Sequence, residues 1–520
     1  MTFDDAGDAL LRALHEHNPW WESGPDAIDL PRRAKSDFYH LARPEQADSQ
    51  FEDQPLLGLV GRRGVGKTTL LEQFIHHRIE QGAASERFCY VPFGADPLYQ
   101  LQSDDGLRQA IRYYEGRVLG RVDDPTPHFL FLDDVHLVEH PSKPTIDGWG
   151  TPVSELLADG EGRHVVVTAN AGVQIERELE RVGLAADDYA TQPILPEKFR
   201  DYLYTLAPEL EADGTRVSPT PLRTGDGSLP AALAAGDPDV LAETLRAQYD
   251  RVADAVPRVQ SQVVHYLAMG GIIGYALDGP VESAGDLDAS AYTQLRDDVR
   301  DALYQDVPGF ESVQTIADLE RLCALAARNR GADPVRYQRL VELFDVDRRT
   351  ITDSYLPALE QLYLLSGVTE YDNSRPRSVR LYLRDTGLVT ALTDGDASGA
   401  LNDFDREAAL ARVAAFDHTM RFSYGVSAAQ GAPTDPDVRF WRGRNGEVDF
   451  VFEVADTPVP VGLAYRPPVD DAATPVREFV DTYETPFGIV LTGDTVRSER
   501  PISIEDGLVH MPYWLYLLLC

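Results

Sequence analysis

One short stretch of this chain combines glycines, a lysine and a threonine at a spacing suited to phosphate chemistry. Residues 61–68 fit the pattern G-x-x-x-x-G-K-[ST], in which a curled backbone directs several N–H groups at phosphate oxygens. In such a loop Lys67 reaches the β- and γ-phosphates of a nucleotide, and Thr68 binds Mg²⁺. The residues predicted to bind nucleotide are Gly61, Arg62, Arg63, Gly64, Val65, Gly66, Lys67, Thr68 and Thr69.

The segments on either side of this loop have the pattern that a phosphate site needs. Residues 55–60 form an apolar run that predicts a buried strand, and residues 67–79 predict an amphipathic helix. The N-terminus of such a helix adds a favourable dipole for an anion. The alternative is a glycine-rich turn that opens a helix by chance, and it leaves the order of strand, loop and helix unexplained.

Two carboxylates follow another predicted strand, at residues 129–132. We expect Asp133 to hold Mg²⁺ through water and Asp134 to orient or activate the attacking water, if this strand lies next to the first. Many proteins with this loop carry Glu at the second position, so Asp134 shortens the reach by one methylene and predicts slow hydrolysis. The alternative is that the two acids only cap a strand.

The predicted strand at residues 164–168 is followed by Asn170, whose side chain is the candidate sensor of a γ-phosphate, with Thr168 as the other candidate. Candidates for a further phosphate-binding arginine, each of which also fits a solvated helix position, are Arg177, Arg181 and Arg200. The predicted catalytic residues are Lys67, Asp134 and Asn170. The predicted metal ligands are Thr68 and Asp133.

The composition describes a packed protein with an unusual charge. The chain has 520 residues, 43% of them hydrophobic, and Asp plus Glu number 85 against 48 for Lys plus Arg, a net charge of −37. The acids are dispersed and only four of the cations are lysines, which favours a surface adapted to molar salt, as in a halophilic archaeon. The Debye length in such salt is about 3 Å. The net charge therefore does not exclude a nucleic-acid partner.

Signals for export and for membrane insertion are missing from the sequence. No apolar run reaches the length of a transmembrane helix, and residues 1–14 carry acids where a signal peptide carries basic residues. Cys89, Cys323 and Cys520 are far apart and lack metal-ligand spacing. We expect a cytoplasmic protein with reduced structural thiols and no membrane contact.

The pattern of apolar residues predicts the fold class. From residue 54 short apolar runs alternate with amphipathic helices, which is typical of an α/β domain with a parallel five-stranded sheet. The predicted strands are residues 55–60, 88–93, 129–132, 164–168 and 191–195. The predicted domains are a lead-in helix and segment at 1–50, the phosphate-loop domain at 51–210, a helical domain at 211–330, a winged helix-turn-helix at 331–395 and a small α/β domain at 396–520.

Several motifs occur together in an order that resembles a known family. They are the phosphate loop, the Asp-Asp-Val-His run at 133–136, and residues 193–203, 354–360, 381–388 and 440–451. Over roughly residues 40–520 the chain resembles the AAA-type P-loop ATPases that carry domain of unknown function 4143 at the C-terminus. The resemblance implies ATP and Mg²⁺ as cofactors, a winged helix after the ATPase domain, and a C-terminal fold like that of restriction endonucleases.

The resemblance also makes the nuclease-like end testable. A restriction-type site needs an Asp on one strand and an acid-x-Lys triplet on the next, so that carboxylates bind Mg²⁺ and the lysine positions the nucleophile. Asp449 stands at the first position, but Gly462 and Ala464 stand where the acid and the lysine belong. We therefore expect an inactive nuclease fold. Glu447 and Glu453 lie on the same strand face as Asp449, which leaves a weak metal site there as an open alternative.

Residues 336–344 and 349–363, joined by a short turn, fit a helix-turn-helix with Arg348 and Arg349 at the head of its second helix. Nearby acids leave no basic stripe, so the alternative is a winged helix that only packs domains. The leading hypothesis for the whole chain is an intracellular switch or regulator that binds and hydrolyses ATP. The alternatives are a DNA-associated ATPase and a Mg²⁺-dependent nuclease, and the sequence leaves open a DNA or protein partner and an oligomer.

Overall fold

The structure is a computed structural model in two compact units. It describes residues 12–30, 54–95, 104–123, 127–138, 148–158, 162–185, 188–207, 210, 228–272, 289–393, 404–429, 437–466, 468–493 and 500–520. The first unit comprises Met1–Leu195, Asp301–Gln314 and Gln361–Tyr363, and the second comprises Pro196–Arg300, Thr315–Glu360 and Leu364–Cys520. Of the predicted lead-in helix and segment at 1–50, residues 1–11 and 31–50 lie outside the described residues.

The first unit is built on a five-stranded parallel sheet, as predicted. Its strands are β1 (Leu56–Val60), β2 (Phe88–Pro92), β3 (His128–Asp133), β4 (Arg163–Ala169) and β5 (Tyr189–Pro193). They lie in the order β2-β3-β4-β1-β5. The condition attached to the roles of Asp133 and Asp134, that β3 lies next to β1, is not met, because β4 pairs with both strands and separates them.

Helices cover this sheet and explain its apolar strands. In the described part of the first 195 residues the helices include α1 (Trp20–Ser23), α2 (Lys67–Glu80), α3 (Asp104–Tyr113), α4 (Gly150–Ala158) and α5 (Gly172–Val182). Every residue of β1 and β3 is buried, as expected for parallel strands with both faces covered. Phe74 of α2 packs edge-on against Phe129 of β3, with ring centroids 5.3 Å apart.

The segment before the phosphate loop covers the outer edge of β2. The side-chain amide of Asn18 donates to the Tyr90 carbonyl (2.8 Å) and accepts from the Tyr90 N–H (2.7 Å), as a neighbouring strand would do. The indole N–H groups of Trp20 and Trp21 both donate to the Phe88 carbonyl. An edge strand with unpaired main-chain groups invites wrong pairing, and this segment removes that hazard.

Asn18→Ala is expected to lower the free energy of unfolding by about 2–4 kcal/mol, because it strips partners from buried main-chain groups of Tyr90 and of Leu14. Urea unfolding of the full chain in high salt measures this change. Glu16→Ala is the matched control, since Glu16 lies in the same segment and is exposed. Equal unfolding midpoints for the two variants would contradict the edge-covering role of Asn18.

The second unit contains two further sheets. In the first, β6 (Val335–Arg336), β7 (Leu365–Val368) and β8 (Ser378–Leu383) pair antiparallel in the order β6-β8-β7. The second is six-stranded, with order β13-β14-β12-β11-β10-β9. Its strands are β9 (Arg439–Arg442), β10 (Glu447–Val454), β11 (Thr457–Ala464), β12 (Gly488–Thr492), β13 (Ser503–Glu505) and β14 (Leu508–Pro512).

Helices make up most of the rest of this unit. They are α6 (Phe199–Leu206), α7 (Leu229–Ala234), α8 (Pro238–Val252), α9 (Val256–Met269), α10 (Ala289–Asp301, whose last residue is counted in the first unit), α11 (Ile316–Asn329), α12 (Tyr337–Phe344), α13 (Leu356–Gln361), α14 (Thr386–Leu392), α15 (Phe404–Ala429), α16 (Asp470–Tyr483) and α17 (Tyr513–Leu519). The predicted helical domain at 211–330 does not anticipate that residues 301–314 belong to the first unit.

The hairpin between β10 and β11 illustrates how local sequence sets a turn. Val454 pairs with Thr457, which leaves Ala455 and Asp456 as a two-residue loop. Both loop residues have positive φ, at 49° and 61°, as a type I′ turn requires. Ala455 and Asp456 therefore form a tight turn, and β11 begins directly after it at Thr457.

Two further features concern the cysteines and the apolar helices. Cys89, Cys323 and Cys520 are buried and form no disulfide. Burial raises the pKa of the Cys323 and Cys520 thiols to about 12, so these groups stay protonated and unreactive. Among the helices that the structure describes, none is both long and apolar enough to cross a bilayer.

Candidate phosphate-binding site

The predicted loop lies at the edge of the first sheet where the parallel strands end. Its first residue, Gly61, donates its N–H to the Ala169 carbonyl at the end of β4 (3.2 Å). A Cβ atom at Gly61 would overlap the Ile194 carbonyl oxygen, so the chain has room only for glycine there. Gly64 and Gly66 have φ values of 78° and 96°, in the left-handed region that glycine adopts without strain.

Lys67 lies at the centre of the loop and is buried. Its ammonium group donates to the carbonyls of Gly61 (2.7 Å) and Arg62 (3.3 Å) and to Oδ1 of Asn170 (2.9 Å). Burial lowers the pKa of Lys67, and the nearby carboxylates of Asp134 and Asp133 oppose this shift. The structure thus brings the predicted lysine and the predicted sensor into direct contact.

Asp133 forms a second centre beside the loop. Its carboxylate accepts hydrogen bonds from the hydroxyls of Thr68 (2.8 Å), Thr168 (2.6 Å) and Tyr90 (2.8 Å). The two predicted metal ligands therefore touch, although β4 lies between β3, which carries Asp133, and β1, which precedes the loop. Thr168 explains this, because its hydroxyl at the end of β4 binds Asp133 and also accepts the N–H of Asp134 (2.8 Å).

Asp134 follows β3 in an unusual backbone conformation. Its φ is 60°, in the left-handed region that few residues other than glycine adopt, and the hydrogen bond from its N–H to Thr168 holds it there. Burial raises the pKa of Asp134 to about 6, and the adjacent Asp133 carboxylate adds to the shift. Carboxyl groups poised near neutral pH are typical of proton-transfer sites.

Asp306 is a residue of this site that the sequence did not indicate. Its buried carboxylate accepts from the guanidinium of Arg63 (3.0 and 3.3 Å) and from the amide of Asn170 (3.0 Å). The ring of His136 lies beside the same amide, with Nε2 3.2 Å from the Asn170 nitrogen. Burial lowers the pKa of His136 to about 4, so the ring is neutral.

Two of these contacts carried no usable sequence signal. Asn170 and Asp306 are 136 positions apart, and the pattern around residue 306 indicates only an amphipathic helix. Tyr90 occupies an alternating strand position typical of core residues, and its hydroxyl contact with Asp133 depends on the pairing of β2 with β3. His136, by contrast, belongs to the 133–136 motif and was open to prediction.

The remaining predicted residues differ in their surroundings. Arg62 and Val65 are buried, Thr69 is half-buried, and Thr68 is exposed on the first turn of α2. The three candidate arginines bind other groups: Arg177 donates to the Phe310 carbonyl, Arg181 pairs with Glu178, and Arg200 pairs with Asp201 in the second unit. Arg63 is the arginine that these contacts bring to Asn170 through Asp306.

The donors around the loop fit a nucleotide phosphate with a metal ion. The first turn of α2 begins at Gly66 without a side-chain cap, so its N–H groups keep their capacity for an anion. Lys67 supplies a positive charge, and its loop-carbonyl bonds fix the ammonium position. Thr68 donates its proton to Asp133, which leaves hydroxyl lone pairs that a hard cation such as Mg²⁺ prefers.

The acids of the nuclease-like end, Asp449 and Glu447, are bound by arginines. Asp449 of β10 accepts from the guanidinium of Arg412 (3.0 Å) and from the N–H of Leu463 on β11 (2.8 Å), and Arg380 lies 3.9 Å away. Arg380 also pairs with Glu447. Among the described residues no group of three or more His, Cys, Asp or Glu side chains is arranged to hold a metal, which gives no support to the alternative of a weak metal site there.

Comparison with protein families connects the first unit to known proteins. Residues 53–203 match the family model of the AAA domain. The first unit has the fold of an AAA-type P-loop ATPase. Residues 282–399 match a different model, domain of unknown function 8612, and not the domain 4143 that the sequence resemblance implies.

Solved structures similar to this chain include two archaeal proteins. A Walker-type ATPase of Pyrococcus abyssi is 12% identical, with 68% of this chain and 95% of that chain covered and a TM-score of 0.39. The Orc1 protein of Aeropyrum pernix, solved in complex with DNA, is 16% identical, with 71% and 94% covered and a TM-score of 0.27. No curated protein sequence matches the chain.

Proposed function

We propose that this protein binds ATP with Mg²⁺ and hydrolyses it, and that it works as a nucleotide-dependent switch in a salt-rich cytoplasm. The observation that carries the proposal is the convergence at the sheet edge. Lys67 lies 2.9 Å from the amide oxygen of Asn170, and Thr68 lies 2.8 Å from the carboxylate of Asp133. These four side chains come from α2, β3 and the end of β4, and they supply the charges and donors that a nucleotide phosphate needs.

Each residue then has a distinct role. The N–H groups of residues 61–69 and the Lys67 ammonium hold the phosphates, and Thr68 with Asp133 holds Mg²⁺. A bound Mg²⁺ neutralises charge that develops on the phosphate oxygens. Asp134 accepts a hydrogen bond from the attacking water and orients it, while Asn170 reports the presence of a γ-phosphate.

Slow turnover is part of this proposal. Asp134 is shorter by one methylene than a glutamate, and its left-handed backbone conformation is held by the bond from its N–H to Thr168. An enzyme of this kind is suited to a switch, because a slow step keeps each nucleotide state populated for longer. The choice of ATP over GTP comes from the family resemblance, since no residue of the described site reads a base.

Phosphate release by the purified full chain in molar KCl tests the proposal. We expect release that requires Mg²⁺ and stops when a chelator removes the metal. The same assay with duplex DNA shows whether DNA alters the rate. Absence of both nucleotide binding and phosphate release at every salt concentration would overturn the proposal.

Residues 331–395 are interpreted as a winged helix that packs domains together. Arg348 at the head of its second helical stretch is used internally, since it donates to the Pro376 carbonyl (2.7 Å) and lies over the Tyr337 ring at 4.3 Å. A guanidinium engaged in this way is a weak phosphate ligand. A DNA-associated ATPase is the alternative, and salt-tolerant duplex binding that is lost in Arg349→Ala would favour it.

Residues 396–520 are interpreted as a nuclease-like fold without catalytic activity. The sequence resemblance to proteins with domain of unknown function 4143 suggests this fold. The carboxylate of Asp449 is already bound by Arg412 and by the Leu463 N–H, and Ala464 supplies no amine. We expect no cleavage of duplex DNA with Mg²⁺ or Mn²⁺, in a gel assay of the full chain. Cleavage that disappears in Asp449→Asn would restore the nuclease hypothesis.

A further inference from the structure

Residues 301–314 belong to the first unit, although the chain on either side of them belongs to the second. The chain enters this segment from the second unit at Arg300 and returns to the second unit at Thr315. The segment contains a π-helical turn, Ala302–Asp306, and a short helix, Val307–Phe310. Leu303 and Val307 are fully buried, so the segment is packed and has a defined position.

The carboxylate of Asp306 is the part of this segment that reaches the phosphate site. Its side chain is 1% exposed, and the guanidinium of Arg63 donates a hydrogen bond to each of its oxygens, at 3.0 and 3.3 Å. One of these oxygens also accepts from the amide of Asn170 at 3.0 Å. An arginine fork matches the geometry of a carboxylate and of a phosphate equally well. Asp306 therefore makes the kind of contacts that a phosphate oxygen makes.

The amide of Asn170 has no proton left for a second acceptor. Its oxygen faces the Lys67 ammonium, which can only donate, so the orientation of the amide is determined. One proton of the nitrogen goes to Asp306, and the other goes to Nε2 of the neutral His136. A γ-phosphate that hydrogen-bonds to Asn170 must displace Asp306 or His136.

Charge makes Asp306 the group to be displaced. A carboxylate and a γ-phosphate are both negative, and like charges in a buried site repel strongly. The carboxylates of Asp133 and Asp134 also act on Lys67 and add to the negative field of the site. A nucleoside diphosphate has no γ-phosphate, so it does not compete with Asp306 for the amide of Asn170.

We propose that Asp306 determines how many phosphates the site accepts: with Asp306 bound to Arg63 and Asn170 the site takes a nucleoside diphosphate, and a triphosphate binds only when residues 301–314 move away. This inference rests on the proposed function, because it concerns the same nucleotide. It names the segment that responds to the γ-phosphate. Both ends of that segment continue into the second unit, at Arg300 and at Thr315. A movement of the segment therefore shifts both of these connections.

Equilibrium titration with nucleotides tests the inference on the full chain in molar KCl with Mg²⁺. The ligands are ADP and the imido analogue of ATP, which is not hydrolysed. We expect Asp306→Asn to strengthen binding of the ATP analogue by about tenfold, and to leave ADP binding within about twofold of the parent value. Asp297→Asn is the matched control, because Asp297 is an exposed acid on the neighbouring helix α10.

The outcomes separate the inference from the proposed function. Equal changes for ADP and for the ATP analogue, or no change for either, would overturn the role of Asp306 while nucleotide binding itself stands. Failure of the parent protein to bind either nucleotide would overturn the proposed function and this inference together.

A second measurement uses only the parent protein, in case Asp306→Asn fails to fold. Hydrogen exchange of the amides in residues 301–314 is followed with ADP and with the ATP analogue. We expect faster exchange with the ATP analogue, because the segment has lost its contacts with Arg63 and Asn170. The same exchange rates with both nucleotides would contradict displacement of the segment.

Discussion

Lys67→Ala is expected to weaken nucleotide binding by at least about a hundredfold and to abolish phosphate release. The variant removes the buried ammonium whose charge-assisted hydrogen bonds to phosphate contribute about 1.5–3 kcal/mol each. It also removes the bonds to the Gly61 and Arg62 carbonyls that fix the loop. Fluorescence titration with an ATP analogue measures the affinity, and phosphate release in molar KCl measures the turnover.

The control for this variant is Arg117→Ala. Arg117 is an exposed cation of the first unit outside the loop, so its loss changes the net charge equally without touching the site. We expect the control to bind nucleotide and release phosphate as the parent does. Turnover by Lys67→Ala at the parent rate would show that the measured activity comes from elsewhere, and the assignment of the phosphate loop would fail with it.

Asp134→Asn is expected to reduce phosphate release by about 10²–10⁴-fold, the usual contribution of a positioned base, while nucleotide binding persists. The pKa of Asp134 is raised only to about 6, so the group is mainly a carboxylate at neutral pH and can accept a proton from water. Asparagine keeps the size but cannot take that proton. Removing one negative charge near Lys67 also favours the phosphates, so binding is expected to be at least as tight.

Asp123→Asn is the matched control, because Asp123 is an exposed acid in the first unit. Single-turnover phosphate release, after nucleotide is bound at saturation, separates the chemical step from affinity. Release by Asp134→Asn as fast as that of the parent would mean that another group orients the water.

Much of the first unit follows from local sequence. The apolar runs predicted five parallel strands, and the structure has five, with ends that differ by only a few residues. These predictions succeed because a buried strand needs consecutive apolar residues whatever its neighbours are. The loop succeeds for the same reason, since Gly64 and Gly66 serve a left-handed backbone at their own positions.

Strand order and long-range contacts did not follow from local sequence. Whether β3 lies beside β1 was left open, because local sequence does not say which strands pair, and the packing of the whole unit places β4 between them. Local sequence also did not show which candidate arginine is available to the phosphate site. Arg181 was a candidate, but in the structure it pairs with Glu178.

By itself, the sequence predicted a phosphate loop and the residues that form it, and it placed two acids and an amide after separate predicted strands of one sheet. These are properties of short segments, and glycine geometry, apolar periodicity and motif spacing are enough to specify them. Only the tertiary structure decided that Tyr90 and Thr168 hold Asp133, and that Asp306 reaches Asn170 across 136 positions. Such contacts depend on how distant segments pack, so the character of the phosphate site is a property of the folded unit as a whole.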